Sequence, residues 1–385
     1  MKYLKYYIST ITLILAIKTC FLGEYYPTVF FIGFSLLIIL GDIFLRKDIK
    51  ERTYTYIYLL NLPMYINLPL LAMIVFLSIF VLSDFQNDAF SRIILSYFSI
   101  DLIQSRQSIN LLDSISLIIL ISLFIGIMGT VPGHELVHRK KNKFDMLIGN
   151  WLLAFSWDCA FALEHVYGHH KYVGLDRDPA TAKRGENIYL FILRAIFKEH
   201  RDAWSIELEQ SKRRGKSIIR ISNKMIIGYL RSLCITYCSF WIGGLYGMIF
   251  YLLLAFISKS LLEVINYSEH YGLVRVEGGS VEPRHSWNSN SVMSSIYLYN
   301  VTRHSSHHEK ASLKYWELKS YQDAPMMPHG YLTMLYMAIF LPNLYHSIMA
   351  KKLIEWDNFF ATKGELIIAR EQNKNSGIPL LMNEH

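Results

Sequence analysis

The chain has 385 residues, of which 52% are hydrophobic and only 18% charged, a balance that excludes a disordered chain and argues against an ordinary soluble enzyme. Lysine and arginine number 39 against 31 aspartates and glutamates; in a chain with long apolar runs, this surplus reads as basic loops on the cytoplasmic side of a bilayer rather than as a nucleic-acid surface. The four cysteines, Cys20, Cys159, Cys234 and Cys238, form no CxxC pair, which argues against a disulfide framework and against a thiolate zinc or iron site.

The apolar runs cover residues 6–22, 25–45, 55–83, 111–131, 225–242 and 245–265, lengths that suit membrane-spanning helices. Lys2 and Lys5 precede the first run and no small-residue cleavage site follows it, so it reads as an anchor rather than a signal peptide. Pro63 and Pro69 lie in the third run, where a spanning helix tolerates them. The joint Gly243-Gly244 predicts a tight hairpin between the last two. Placing the N-terminus inside puts Arg46, Lys47, Lys50 and Arg52 inside, together with Arg139, Lys140, Lys141, Lys143, Lys212, Arg213, Arg214 and Lys216. Six spans with both ends cytoplasmic satisfy the positive-inside rule. The expectation is an all-α integral membrane protein forming one domain over 1–385, with cytoplasmic parts 132–224 and 266–385. The apolar stretch 144–163 holds Asp145, Asn150 and Asp158, and is expected as a buried or interfacial helix rather than a seventh span.

Fourteen histidines are the unusual count, and nine fall into four groups just beyond the spans. His134 and His138 lie four apart, as do His165 and His169, with His170 following at once. That spacing puts two imidazoles on one helical face. His304, His307 and His308 converge in the same way, and His270 stands where the sixth span ends. A catalytic zinc needs three protein ligands and a structural one four, so nine imidazoles suit two metal ions. Imidazole accepts iron, zinc, copper or nickel, and ligand type alone does not choose. The His134-Glu135-Leu136-Val137-His138 run also matches the zinc-peptidase HExxH pattern, a reading that leaves seven histidines without a role. Glu135, Glu164 and Glu269 adjoin these histidines; they are candidates for bonding the outer ring nitrogen of a ligand, or for plain salt bridges. His200, His285, His329, His346 and His385 are isolated and are expected not to be ligands.

Two redox-capable metals at a membrane face suggest dioxygen chemistry on an apolar substrate that partitions into the bilayer, with the metal supplying the hard step. No glycine-rich nucleotide motif is visible. Electrons must then come from a separate protein, and the basic segments from Arg139 to Lys143 and from Arg213 to Lys216 are candidates for docking an acidic carrier.

With these residues in view, the chain resembles the bacterial membrane alkane 1-monooxygenases, a branch of the membrane fatty-acid desaturase and hydroxylase group. The resemblance rests on the three histidine boxes, on Asn266 to Gly272, on His285 to Asn290, on Asp178-Pro179-Ala180 with Arg184-Gly185-Glu186, and on Pro325 to Tyr331. It implies six transmembrane helices and a cytoplasmic di-iron centre held by His134, His138, His165, His169, His170, His270, His304, His307 and His308. It also implies the bacterial inner membrane as location. The implied reaction is O2-dependent hydroxylation of an n-alkane at its terminal methyl to a primary alcohol. Electrons would come from a separate rubredoxin and its NADH-dependent reductase. The chain departs from the family pattern at Val137, Thr302 and Ser306, which leaves the ligands intact. The rival readings are a membrane di-iron desaturase, and a hydroxylase acting on fatty-acyl lipids or alkyl-arenes.

Overall fold

The computed structural model describes residues 2–85 and 87–383, so His385 lies outside the described residues. The all-helical expectation holds: among the described residues the only strand-like pairing is a single bridge between Asn288 and Met326. In chain order the helices are α1 (Ile8–Thr19), α2 (Tyr26–Phe44), α3 (Tyr58–Leu82), α4 (Asp88–Phe98), α5 (Leu102–Ser108), α6 (Leu111–Phe124), α7 (Val131–Val137), α8 (Lys143–Ala154), α9 (Phe161–Glu164) and α10 (His170–Tyr172). They continue with α11 (Ile188–Arg213), α12 (Lys224–His270), α13 (Val292–Tyr297), α14 (His304–Glu309), α15 (Tyr331–Phe340), α16 (Pro342–Phe359), α17 (Lys363–Asn375) and α18 (Pro379–Met382). Two π-turns interrupt this order, Ile125–Thr130 between α6 and α7 and His165–His169 between α9 and α10.

Among the described residues, four helical runs are long and apolar enough to cross a membrane: α2, α3, the continuous run Leu111–Val137, and α12. The expected run 6–22 is represented by the 3-10 turn Leu4–Tyr7 and the 12 residues of α1 that follow it directly, together reaching about 26 Å at ~2.0 and ~1.5 Å per residue, near the ~30 Å of a hydrocarbon core. The expected pair 225–242 and 245–265 is one 47-residue element broken at Gly244, where φ is +61°. A side chain there would be strained in the left-handed region. Close by, a Cβ on Gly247 would come within 2.7 Å of the Ser239 carbonyl, so the two arms fold back on one another. The stretch 144–163 holds α8, which has 12 residues and is too short to cross.

The chain divides into two compact units. One gathers the residues up to Leu37 with Tyr54–Cys159 and Ile226–Lys259; the other comprises Ile38–Thr53, Ala160–Met225 and the chain from Ser260 onward. The first is built from α1, α3 and α6 to α8, with Leu13, Leu71, Ile74, Leu117 and Leu120 fully buried. Its buried polar groups meet in short local sets, as unpartnered polar groups in an apolar interior are costly. Thr10 donates to Asn67 at 2.9 Å, and Asn67 to the Met128 carbonyl at 3.3 Å. Thr28 donates to Asp113 at 2.6 Å, while Asp113 and Asn110 close a capping box at the start of α6. α7 and α8 cross where Gly133 meets Gly149. A Cβ on Gly149 would lie 2.9 Å from the Leu136 Cβ and 3.1 Å from the Gly133 carbonyl, so this approach needs both glycines.

The second unit buries a stretch with little regular structure. Trp287, Asn288, Ser289 and Asn290 are all almost fully inaccessible, and long-range backbone bonds take the place of a helix or sheet ladder. The Trp287 amide donates to the Glu269 carbonyl at 2.9 Å, Asn288 to Pro325 at 2.7 Å, and Ser289 to Thr302 at 2.8 Å. Asp48 donates to the Asn290 carbonyl at 2.8 Å. The segment therefore ties the end of α12 to the start of α14 and to the strand-like stretch before α15. Asp42, near the end of α2, accepts from the Ser294 amide and hydroxyl and from Thr333 at 2.9, 2.6 and 3.0 Å.

Candidate metal centre

Each histidine reaches its place through a local device. His134 follows the π-turn and Pro132, which opens α7. His165 to His169 are themselves a π-turn, a form that recurs at functional sites. Gly168 stands over the Glu164 carboxylate, and a Cβ there would lie 2.5 Å from Oε1, so a larger residue would push that carboxylate aside. His270 is the last residue of α12, and Gly272, at φ +69°, turns the chain away. A Cβ on Gly272 would meet Arg184 and Leu353, each at 2.8 Å. Arg184 itself donates to the Gly272 carbonyl at 2.9 Å and to Asp357 at 2.6 and 2.7 Å. The start of α14 is fixed by Arg303, which donates to the carbonyls of Leu318 at 2.7 Å and Asp48 at 2.8 Å.

Four of the nine histidines form a set in the second unit: His169, His270, His304 and His308, all buried. The Nε2 atoms of His169 and His308 are 3.2 Å apart, those of His304 and His270 3.2 Å, and those of His308 and His304 2.9 Å. Four nitrogens sharing one ion at metal–nitrogen bonds of about 2.1 Å would stand about 3.0–3.4 Å apart in octahedral or tetrahedral arrangement. The residues present therefore fit a metal ion. The outer nitrogens agree with this. His169 Nδ1 is 3.0 Å from Asp178, His270 Nδ1 is 3.1 Å from the His285 carbonyl, and His304 Nδ1 is 3.3 Å from the Val301 carbonyl. Each such bond fixes the Nδ1–H tautomer and turns the Nε2 lone pair inward. Burial first, then the neighbouring imidazoles, holds His308 well below the ordinary histidine range, so it stays neutral and keeps a lone pair to offer.

The same unit brings His165, His170 and His307 together, with ring nitrogens within 4.8 Å of one another. The ring centroids of His165 and His170 are 4.8 Å apart, as are those of His170 and His307. The four-residue spacing thus misled at one point. His165 and His169 do not serve one set: the π-turn rotates His169 into the buried four, and His170 stays with His165. α14 divides likewise, His304 and His308 to one set and His307 to the other. In the first unit His134 and His138 face each other with Nε2 atoms 3.2 Å apart.

The three carboxylates named from sequence have different surroundings. Glu269 lies with Oε2 3.2 Å from His304 Nε2. Glu135 is bonded by Arg139 at 2.7 and 3.1 Å. Arg139 also donates to Asp145 at 3.2 Å and Asn61 at 2.7 Å, so this arginine belongs to the interior and not to a basic docking surface; Lys140, Lys141 and Lys143 remain exposed. Glu164 is buried beneath Gly168.

Two functional residues went unassigned in the sequence reading. Asp178 accepts from His169 and, at 2.6 Å, from Thr181. Burial opposes its ionisation, yet His169 and the Thr181 hydroxyl outweigh that and hold it below the usual carboxylate range. Glu365 bonds His285 Nε2 at 2.8 Å and Arg284 at 3.1 Å, and so braces the loop whose carbonyl holds His270. Asp178 lay inside a motif visible in the chain; Glu365 had no local signal. Among the described residues, His200, His285, His329 and His346 stand outside both histidine sets. Thr302 and Ser306, where the chain departs from the family pattern, are buried and bonded: Thr302 to Ser295 at 2.8 Å, and Ser306 to the Lys319 amide at 3.1 Å.

Comparison with known proteins follows the same residues. The fatty acid desaturase family model matches residues 114–338, which contain all nine histidines. An alkane 1-monooxygenase of Pseudomonas aeruginosa is 38% identical over 60% of this chain and 61% of its own. An alkane 1-monooxygenase of Acinetobacter baylyi is 33% identical over 71% of this chain and 70% of its own. The xylene/toluene monooxygenase hydroxylase component of Pseudomonas putida is 28% identical over 98% of this chain and 96% of its own. The alignment spans about three fifths of the length of the Pseudomonas aeruginosa relative. An all-helical membrane chain with converging imidazoles, matched over more than half its length, belongs to the fatty acid desaturase family and, within it, to the alkane 1-monooxygenases.

Proposed function

We propose that this protein is a membrane monooxygenase that hydroxylates an apolar alkyl substrate with O2, placing one oxygen atom at a terminal methyl to give a primary alcohol. The observation that carries the reading is the buried set His169, His270, His304 and His308, whose nitrogens are spaced as for one ion. We take His134, His138, His165, His170 and His307 as the remaining ligands, as the family resemblance implies, giving nine imidazoles for two irons. The bound irons would supply the oxidising power that an unactivated C–H bond demands. The chain's own part is to keep its imidazoles turned inward, His169 through Asp178, and His270 and His304 through the carbonyls of His285 and Val301, and to exclude water by burying the site. Electrons would come from a separate rubredoxin and its NADH-dependent reductase. The reading includes six spans, both termini and the metal site on the cytoplasmic side, and the bacterial inner membrane as location. The relatives named for alkanes support the substrate class.

A second reading has its own support. The relative that aligns over 98% of this chain is named for xylene and toluene, which favours the methyl group of an alkyl-arene as the oxidised carbon. One experiment separates the readings. The purified protein is assayed for bound iron, then given O2, a rubredoxin with its reductase, and in turn n-alkanes, toluene or xylenes, and fatty-acyl lipids. Primary alkanols support the first reading and benzylic alcohols the second; desaturated acyl chains with neither alcohol would sink both.

A further inference from the structure

Beside the four-histidine set lies a group of buried phenols that the proposed reaction does not use. Tyr271 directly follows His270, and Tyr267 lies one helical turn before it. The rings of Tyr267 and Tyr271 are 5.0 Å apart, those of Tyr271 and Tyr345 5.4 Å, and those of Tyr267 and Tyr345 5.6 Å. All three side chains are almost fully inaccessible. Packing alone asks only for phenylalanine here. Instead two of the hydroxyls enter an ordered chain of hydrogen bonds. The Tyr271 hydroxyl accepts from the Gly185 amide at 2.8 Å and meets His346 Nδ1 at 2.6 Å. His346 Nε2 stands 3.4 Å from the Tyr267 hydroxyl, which donates to the Glu186 carbonyl at 2.7 Å.

One proton arrangement satisfies every member. The Tyr271 oxygen accepts from the Gly185 N–H, and its own O–H donates to His346 Nδ1, the acceptor 2.6 Å away. Tyr267 donates to Glu186, so it accepts from the Nε2–H. His346 is then neutral, which accords with burial lowering its basicity. The result is a phenol one residue from a metal-ligand position, aimed at a base by a short hydrogen bond. His346 is half-buried, the most accessible member of the group.

We propose that Tyr271 and His346 form a proton-coupled electron donor that protects the metal centre when oxidant is consumed with no substrate carbon in place. In this step Tyr271 gives one electron to the oxidised metal centre. Its phenolic proton crosses to His346 Nδ1, leaving a neutral tyrosyl radical and an imidazolium. A small reductant such as a thiol or ascorbate, reaching the accessible side at His346, returns one electron, and the imidazolium returns the proton. The inference rests on the oxygenase reading in that it needs a redox metal at the histidines. It needs neither the assigned substrate nor the assigned electron carrier.

The test uses the full chain, iron-loaded in detergent, with hydrogen peroxide as oxidant and no substrate. Samples are frozen rapidly and read by electron paramagnetic resonance. The expected result is a tyrosyl signal that narrows in protein carrying ring-deuterated tyrosine. It should be lost in Tyr271→Phe, reduced in His346→Gln, whose amide accepts a hydrogen bond but not the proton, and kept in Tyr345→Phe. Tyr271→Phe should also inactivate several-fold faster under peroxide. An undiminished signal in Tyr271→Phe, or no tyrosyl signal in iron-loaded wild type, overturns the proposal. Alcohol formation is measured in parallel, so a wrong substrate assignment shows as missing product beside an intact radical. A chain that binds no iron overturns both readings, and metal analysis identifies that case.

Discussion

The two units of this chain bury polar groups in opposite ways. In the first, polar side chains meet in small sets inside an apolar bundle: Thr10 with Asn67, Thr28 with Asp113, Glu135 with Arg139. Hydropathy outlines the helices that these sets join. In the second, Trp287 to Asn290 lie inside with scarcely any regular structure, held by bonds to residues 269, 302, 325 and 48. The first unit is a set of helices with polar pins; the second is a polar network that happens to carry helices. The difference follows from the work assigned to it. Imidazoles that must point inward need partners on their outer nitrogens, and those partners come from distant chain.

The contrast yields measurable consequences, strongest in the second unit. His304→Ala removes a nitrogen that lies 2.9 and 3.2 Å from two others. We expect it to lower bound iron from two per chain to one and to abolish product formation, while the protein still inserts and folds. Two irons and full turnover in that variant would falsify the four-histidine site. Asp178→Asn keeps the shape but weakens the hold on His169. Loss of such an outer partner typically costs about 10–100-fold in metal affinity, readable by chelator competition with little change in melting temperature. An affinity equal to wild type would show that His169 is positioned by packing alone.

Two substitutions compare the units directly. A Cβ on Gly330 would stand 2.1 Å from the Asp42 carboxylate, which already serves Ser294 and Thr333. Gly330→Ala should therefore destabilise by roughly 1–3 kcal/mol, the usual range for overpacking. Asn110→Ala removes only the cap of α6 in the first unit and should cost about 1 kcal/mol. Thermal unfolding in detergent ranks them; the reverse order would undo the contrast drawn above.

The smallest effect concerns pH. Burial raises the Glu365 carboxyl, but hydrogen bonds from His285, the Thr362 amide and Arg284 outweigh this and hold it at about 2. A folded value below the ordinary carboxylate one stabilises the fold above the unfolded value, and that contribution fades as pH falls through the folded one. The stability gap between wild type and Glu365→Gln should be full above pH ~4.5 and should shrink toward pH ~2. A gap that does not change over that window would mean that the carboxylate's charge is not what braces the His285 loop.

By itself the sequence determined the helical class, the apolar runs and the nine histidines, because hydropathy and residue identity are local properties. It also determined the hinge at Gly244, since a glycine pair between two apolar runs is a local signal. Tertiary structure alone decided which histidines share a set. A π-turn changes the angular step between residues, so the separation of His169 from His165 cannot be counted out at 3.6 residues per turn. It alone chose Asp178 and Glu365 as supporting groups and placed Arg139 inside, because a hydrogen bond joins residues by position in space, and 80 residues of chain separate His285 from its carboxylate.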